Sequence, residues 1–186
     1  MFEIRKQAGI ILRKISYGEA DEIVTVLFEG DGVRRLFASS SRKSRKRFAG
    51  LIDVFANLEF HYSVGTSSLG RLQKASEIQS QVSLRFWEKD LLVFSFFSYL
   101  AELICEFNPE EASADGLYYL WNETALSFQS HDFSTEAAAC SLARAFEIFG
   151  YSVPPEASLK MIISHAHRIL QKRTRAESFF LELLSE

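Results

Sequence analysis

Cysteine is nearly absent from this 186-residue chain: only Cys105 and Cys140 occur, each inside an apolar run. Two thiols cannot build a disulfide framework or a four-thiolate zinc site, so both are expected as small buried hydrophobes in a reducing, cytoplasmic setting. Three prolines and nine glycines exclude collagen-like and low-complexity architectures. No uncharged run approaches the roughly 18 residues that span a bilayer, and the start Met1-Phe2-Glu3-Ile4-Arg5-Lys6 lacks the apolar stretch of a signal peptide. The expectation is a protein neither exported nor embedded in a membrane. Catalytic signatures are also missing, with no nucleophile elbow, phosphate-binding glycine loop, zinc-protease helix or dinucleotide fingerprint. A non-catalytic protein without cofactor or metal is expected.

Apolar surface is plentiful. Hydrophobic residues make up 47% of the chain and 17 of them are phenylalanine, enough for a dry core without staples. The net charge of −3 conceals two unlike halves: residues 1–80 carry 13 Lys and Arg against nine Asp and Glu, whereas residues 81–186 carry eight against fifteen. A basic half suggests an anionic partner. Its excess is concentrated in Arg42, Lys43, Arg45, Lys46 and Arg47, interrupted only by Ser44.

The hydrophobic pattern changes near the same boundary. Short runs rich in Ile, Val, Leu and Phe predict strands near Ile4 to Ile15, Glu22 to Phe28, Gly32 to Ser40, Leu51 to Tyr62 and Leu69 to Ile78. Glycine-containing turns at Tyr17-Gly18-Glu19, Gly30-Asp31-Gly32 and Val64 to Ser68 separate them. From Leu84 the spacing becomes helical, and a helix from Leu84 to Phe107 carries apolar residues around most of its circumference. Asn108-Pro109-Glu110-Glu111, Ser134-Thr135-Glu136 and Thr174-Arg175-Ala176-Glu177 read as helix starts. The second of these helices ends at Gly150, before Pro154-Pro155. The fold class is therefore α+β: a five-stranded β-barrel over 1–80, followed by an all-α domain over 81–186.

The basic run reads either as a solvated charge cluster or as a loop that neutralises phosphates beside a curved sheet, with Ser39, Ser40, Ser41 and Phe48 supplying further contacts. Arg34 and Arg35 are adjacent in a strand and point to opposite faces, so at most one joins that groove. Arg13 and Lys14 call for the same caution. Tyr17-Gly18-Glu19-Ala20-Asp21-Glu22 gathers three carboxylates and reads as a charged surface turn rather than a cation site. His165 and His167 sit two apart on a helix and diverge by about 200 degrees, which argues against a metal pair. Lys160, Arg168, Lys172, Arg173 and Arg175 form a last basic group, open to a partner's acidic tail or simply complementing a helix end.

The order of features resembles one known family. Gly9-Ile10-Ile11-Leu12-Arg13, Tyr17 to Phe28, Gly32, Ala38, Arg42-Lys43-Ser44-Arg45, Phe48-Ala49-Gly50-Leu51, Phe55, Leu58-Glu59 and Gly70-Arg71-Leu72 look like the N-terminal domain of the RecO family of bacterial recombination mediators. Phe146-Glu147-Ile148-Phe149-Gly150-Tyr151 with Pro154, and Arg175 to Leu184, resemble segments of its helical half. The resemblance implies an OB-fold followed by an α-helical domain. It also implies binding of single- and double-stranded DNA, strand annealing and recombinase loading, with RecR and the acidic C-terminal tail of single-stranded DNA-binding protein as partners. Such a protein would be cytoplasmic and associated with the nucleoid.

Three departures stand out. Many members carry a four-cysteine zinc module after Leu-Gly-Tyr, but here Gly150-Tyr151 runs through Pro154-Pro155 into the next helix, and no zinc is expected. The family's Ala-Lys-Gly-Ala-Arg is Ala38-Ser39-Ser40-Ser41-Arg42 in this chain. Where some relatives place arginines upstream of Gly150, Ala139 and Cys140 stand, leaving only Arg144 on that helix. The expected DNA contacts are Arg42, Lys43, Arg45, Lys46 and Arg47, with Arg34 or Arg35 and Arg71. The candidate partner contacts are Arg144, Lys160, Arg168, Lys172, Arg173 and Arg175. The alternative is a non-catalytic adaptor of the repair machinery with weak or no DNA binding.

Overall fold

The computed structural model describes residues 3–44, 48, 50–65, 68–79, 82–83, 85–107 and 116–185. Five strands, β1 (Glu3–Tyr17), β2 (Asp21–Phe28), β3 (Gly32–Ala38), β4 (Asn57–Val64) and β5 (Leu69–Glu77), close into a barrel in the order β1-β2-β3-β5-β4. β1 makes closure possible by working twice. Its first half pairs with β4, from Glu3↔Val64 to Ile10↔Asn57, and its second half with β2, from Gly9↔Phe28 to Tyr17↔Asp21. A register shift between Ile11 and Arg13 bends it from one neighbour to the other. β3 and β5 meet in a short parallel seam, Arg35↔Leu69, Leu36↔Gly70 and Phe37↔Arg71. This is the five-stranded barrel that the sequence pattern predicts, and the OB-fold that the resemblance implies. Closure also demands glycine at two close approaches: a Cβ on Gly9 would stand 2.6 Å from Val26 Cγ1, and one on Gly70 2.7 Å from Leu36 Cδ2.

Alternation sorts the side chains. Ile11, Val24, Val26, Phe28, Leu36, Leu58, Phe60, Tyr62 and Leu72 fill the barrel, and Phe48 and Ile52 from the β3–β4 connection join them. Ile10, Leu12, Leu27 and Val33 belong instead to the helical core. The barrel and the helices thus share an apolar interface.

The helices are α1 (Leu91–Phe107), α2 (Leu117–Ser130), α3 (Thr135–Ile148), α4 (Leu159–Leu170) and α5 (Arg175–Leu183). α1 buries residues around much of its circumference, including Ser95, Phe96, Tyr99, Leu100, Ala101 and Ile104. Ser134 and Thr174 cap α3 and α5 as expected, accepting the amides of Ala137 and Glu177 at 3.2 and 3.1 Å. No described helix is long and apolar enough to cross a membrane.

Several expectations are corrected. The helix predicted from Leu84 is interrupted: a 3-10 turn, Phe86–Lys89, precedes Asp90, whose carboxylate accepts the amides of Leu92 and Val93 at 2.7 and 3.3 Å and restarts the chain as α1. Asn108-Pro109-Glu110-Glu111 lies outside the described residues. The strand predicted from Leu51 begins only at Asn57, because Phe55 adopts a left-handed backbone with φ 65°. That turn sends its ring into the helical core, against Trp87, Phe94, Phe97 and Trp121 at centroid distances of 5.4, 5.6, 6.3 and 5.5 Å. Cys105 is half-buried, its thiol pushed up to about 11 by burial, but Cys140 is exposed on α3 rather than buried. The small residues Ala137, Ala138 and Ala139 before it leave the helix face unmarked in the sequence.

Candidate nucleic-acid interface

The helical core covers only part of the barrel's outer surface. Beyond the row Ile10–Leu27–Val33, the strand register lines up two further rows: Arg13, Thr25, Arg35 and Leu69, then Ile15, Ile23, Phe37 and Arg71. Residues paired across strands share a face, and the intervening Val24, Leu36 and Leu72 point into the barrel, so both rows point outward. Arg13, Arg35 and Arg71 are exposed, as are Ile15 and Tyr17, the latter at 57%. The Tyr17 ring meets half-buried Phe37 edge-on at 5.8 Å. Adjacent strands lie about 4.8 Å apart, so this face offers cations and ring surface within the reach of a few nucleotides.

The basic loop leaves β3 at the same end of the barrel and is tied to the β1–β2 turn. The Ser40 amide donates to Asp21 Oδ1 at 2.7 Å and the Ser41 hydroxyl to Glu22 Oε2 at 2.7 Å. The Arg42 amide donates to the Ala20 carbonyl at 3.1 Å, and its guanidinium to the Glu19 carbonyl at 3.4 Å. The carboxylate-rich turn is therefore more than a charged surface: Glu22 is buried at 7% exposure, and with Asp21 it anchors the loop. Arg42 and Lys43 are held exposed beside Tyr17 and Phe37's end of the sheet. Arg45, Lys46 and Arg47 lie outside the described residues. Phe48, expected to contact bases, is only 1% exposed and plugs the barrel instead.

Arg34 and Arg35 part as their alternation requires. Arg34 turns inward at the opposite end of the barrel, where its Nε and Nη2 donate to Asp31 at 2.9 and 3.2 Å and Arg5 reaches the same carboxylate at 2.7 Å. Burial pushes the Asp31 carboxyl up, but hydrogen bonds from Arg34 and Arg5 outweigh it and hold the group below the ordinary carboxylate range. The Tyr62 hydroxyl bonds Gln7 and Asp31, and burial raises it to about 12. Arg34 thus belongs to an internal charge network, away from the exposed rows. Lys14 is likewise engaged, donating to the Ile52 carbonyl and Asp53, both at 3.1 Å.

The helical cations expected as one docking group occupy three places. Arg144, paired with Glu123 at 2.7 Å, and Lys160 border a groove of about 700 Å³ between α3 and residues 154–160, whose lining also includes Glu136, Glu147 and Glu156. Arg168 contacts His165 Nδ1 at 3.2 Å on α4. Lys172, Arg173 and Arg175 border a different cleft, of about 540 Å³, between the barrel and α1 and α5. His165 and His167 diverge as expected, toward Phe146 and toward Glu177 respectively. The α3 groove carries more acid than base, an unfavourable seat for an acidic peptide.

Sequence inspection missed Tyr17 and Phe37 as site residues. The signal was strand parity: Arg35 and Phe37 are two apart, as are Ile15 and Tyr17, and each pair shares an outward face.

Residues 1–81 match the family model described as Recombination protein O N terminal. The chain is also similar to proteins named DNA repair protein RecO. The one from Dehalococcoides mccartyi is 29% identical over 143 residues, 77% of this chain and 53% of the relative. That from Anaeromyxobacter sp. (strain K) is 34% identical over 117 residues, 62% of this chain and 44% of the relative. The Listeria monocytogenes protein is 28% identical over 117 residues, 63% and 44% of the two chains. The chain spans about half the length of the curated relatives it matches.

Proposed function

Because this chain belongs to the RecO family of DNA repair proteins, we propose that it is a non-catalytic DNA-binding recombination mediator whose barrel holds the backbone of single- and double-stranded DNA. The observation that carries this reading is the outward face where Arg13, Arg35 and Arg71 flank Tyr17 and Phe37, with Arg42 and Lys43 at its edge. Exposed cations neutralise phosphates, while the two rings offer π-faces to unstacked bases. Neutralising two strands at once lowers the repulsion that slows their pairing, which is how this surface would promote annealing. Recombinase loading with RecR and single-stranded DNA-binding protein belongs to the same proposal, through surfaces of the helical unit.

The test is a fluorescence-anisotropy titration of labelled single- and double-stranded DNA at two salt concentrations. Replacing Arg42, Lys43, Arg45, Lys46 and Arg47 together by serine is expected to flatten the salt dependence on single strands by up to about 3.5 log units per log unit of salt, at about 0.7 for each phosphate no longer neutralised. Tyr17→Ala with Phe37→Ala is expected to weaken single-strand binding by about 1–3 kcal/mol per base stacked and to leave duplex binding nearly unchanged. Salt-insensitive binding, or equal weak binding by all variants, would favour the adaptor reading.

A further inference from the structure

The cleft between the barrel and helices α1 and α5 lies beside the candidate nucleic-acid face and is the second place in the fold where cations from distant parts of the chain converge. Arg13 and Lys14 come from β1, Lys172 and Arg173 from the α4–α5 connection, and Arg175 from the start of α5. Two carboxylates, Glu102 and Glu106, face them from α1. Glu102 is already occupied, accepting the Ala176 amide at 2.9 Å at the first turn of α5, and Glu106 holds Lys172 at 2.8 Å. Lys14 is bonded to Asp53 and the Ile52 carbonyl, and Arg173 stands 3.9 Å from Glu177. Arg13 and Arg175 make no ion pair among the described residues, and both are exposed. Glu102 keeps its negative charge while accepting that amide, so these two guanidinium groups leave the cleft with a net positive charge.

Arg13 decides which polyanion fits. It lines the cleft and also stands at the head of the outward row Arg13–Thr25–Arg35–Leu69, so the cleft opens directly onto the barrel face. We propose that a single DNA strand lying across the barrel continues into this cleft, where Arg13 and Arg175 bind its phosphates, giving a site that runs from the barrel to the helical unit. The inference rests on the DNA-binding reading above and lengthens it. It also gives the α4–α5 cations a nucleic-acid role in place of the protein-docking one expected from their charge alone.

The experiment compares wild type, Arg175→Ser, and Arg35→Ser/Arg71→Ser against oligothymidylates of about six and about 20 nucleotides, the first within and the second beyond the span of one OB-fold. Arg175→Ser, the cleft variant, is expected to bind the long strand about fivefold more weakly and to lower its salt slope by about 0.7, while binding the short strand within twofold of wild type. Arg175→Lys should restore the long-strand affinity, since a point charge suffices for a phosphate contact. If the barrel variant loses binding but the cleft variant matches wild type on both lengths, the cleft inference is overturned and the DNA reading stands. If wild type binds neither strand, both fall. If the cleft variant leaves DNA binding intact but abolishes binding of a labelled poly-glutamate peptide, the cleft serves an acidic protein segment and the proposal is overturned.

Discussion

Arg34 and Arg35 follow one another in the chain, yet one closes an internal charge network and the other faces solvent, because a strand turns successive side chains to opposite sides of its sheet. The inward arginine makes a prediction possible. Asp31 has a folded pKa below its unfolded value, so its contribution to stability is fully present above about pH 4 and is lost as pH falls through the lower folded value. Asp31→Asn is expected to cost about 2 kcal/mol at neutral pH, the scale of hydrogen bonds to a charged group, with the difference shrinking as the medium becomes more acid. Urea unfolding of both proteins across that pH range measures it, and a difference that stays constant would show that the charge is irrelevant. The same alternation places Tyr17 and Phe37 beside Arg35 and Arg71, which is why parity, rather than the density of basic residues, identifies the aromatic part of the site.

Among the elements, the β3–β5 seam is closely constrained. A Cβ on Gly70 would stand 2.7 Å from Leu36 Cδ2 and 3.2 Å from the Ser63 carbonyl, so the two strands can meet only over a residue without a side chain. Gly70→Val is expected to destabilise the protein by about 2–3 kcal/mol through overpacking, with hydrogen exchange rising first at β3 and β5. Unchanged protection there would count against this account. The strands were largely legible in the sequence because alternation and glycine turns mark them: β2, β3 and β5 lie within two residues of expectation at each end. The early part of the fourth predicted strand was not legible, since Phe55 takes a left-handed turn for a partner found only in the tertiary structure. Asp90 breaks the helical spacing that runs on from Leu84 by capping α1, a local competition that periodicity alone does not register.

For the molecule as a whole, Phe55 couples the two units. Its left-handed backbone costs roughly 1–2 kcal/mol, a strain offset by burying its ring among four aromatic neighbours. Phe55→Ala is expected to lose about 3–5 kcal/mol and to split a single melting transition into separate barrel and helix steps, visible by calorimetry. One undivided transition of unchanged midpoint would contradict that. At this scale the sequence revealed the site only as a charge imbalance: it located the basic loop, but could not distribute Lys160, Arg168, Lys172, Arg173 and Arg175, which lie within sixteen positions and reach three separate places. The β3–β5 seam holds a last consequence. It is joined by three residue pairs, and two of those pairs contain the exposed cations Arg35 and Arg71. A polyanion lying across both would act as a clasp on the barrel's shortest join. Such an occupant would make barrel integrity rise with its concentration, through mass action.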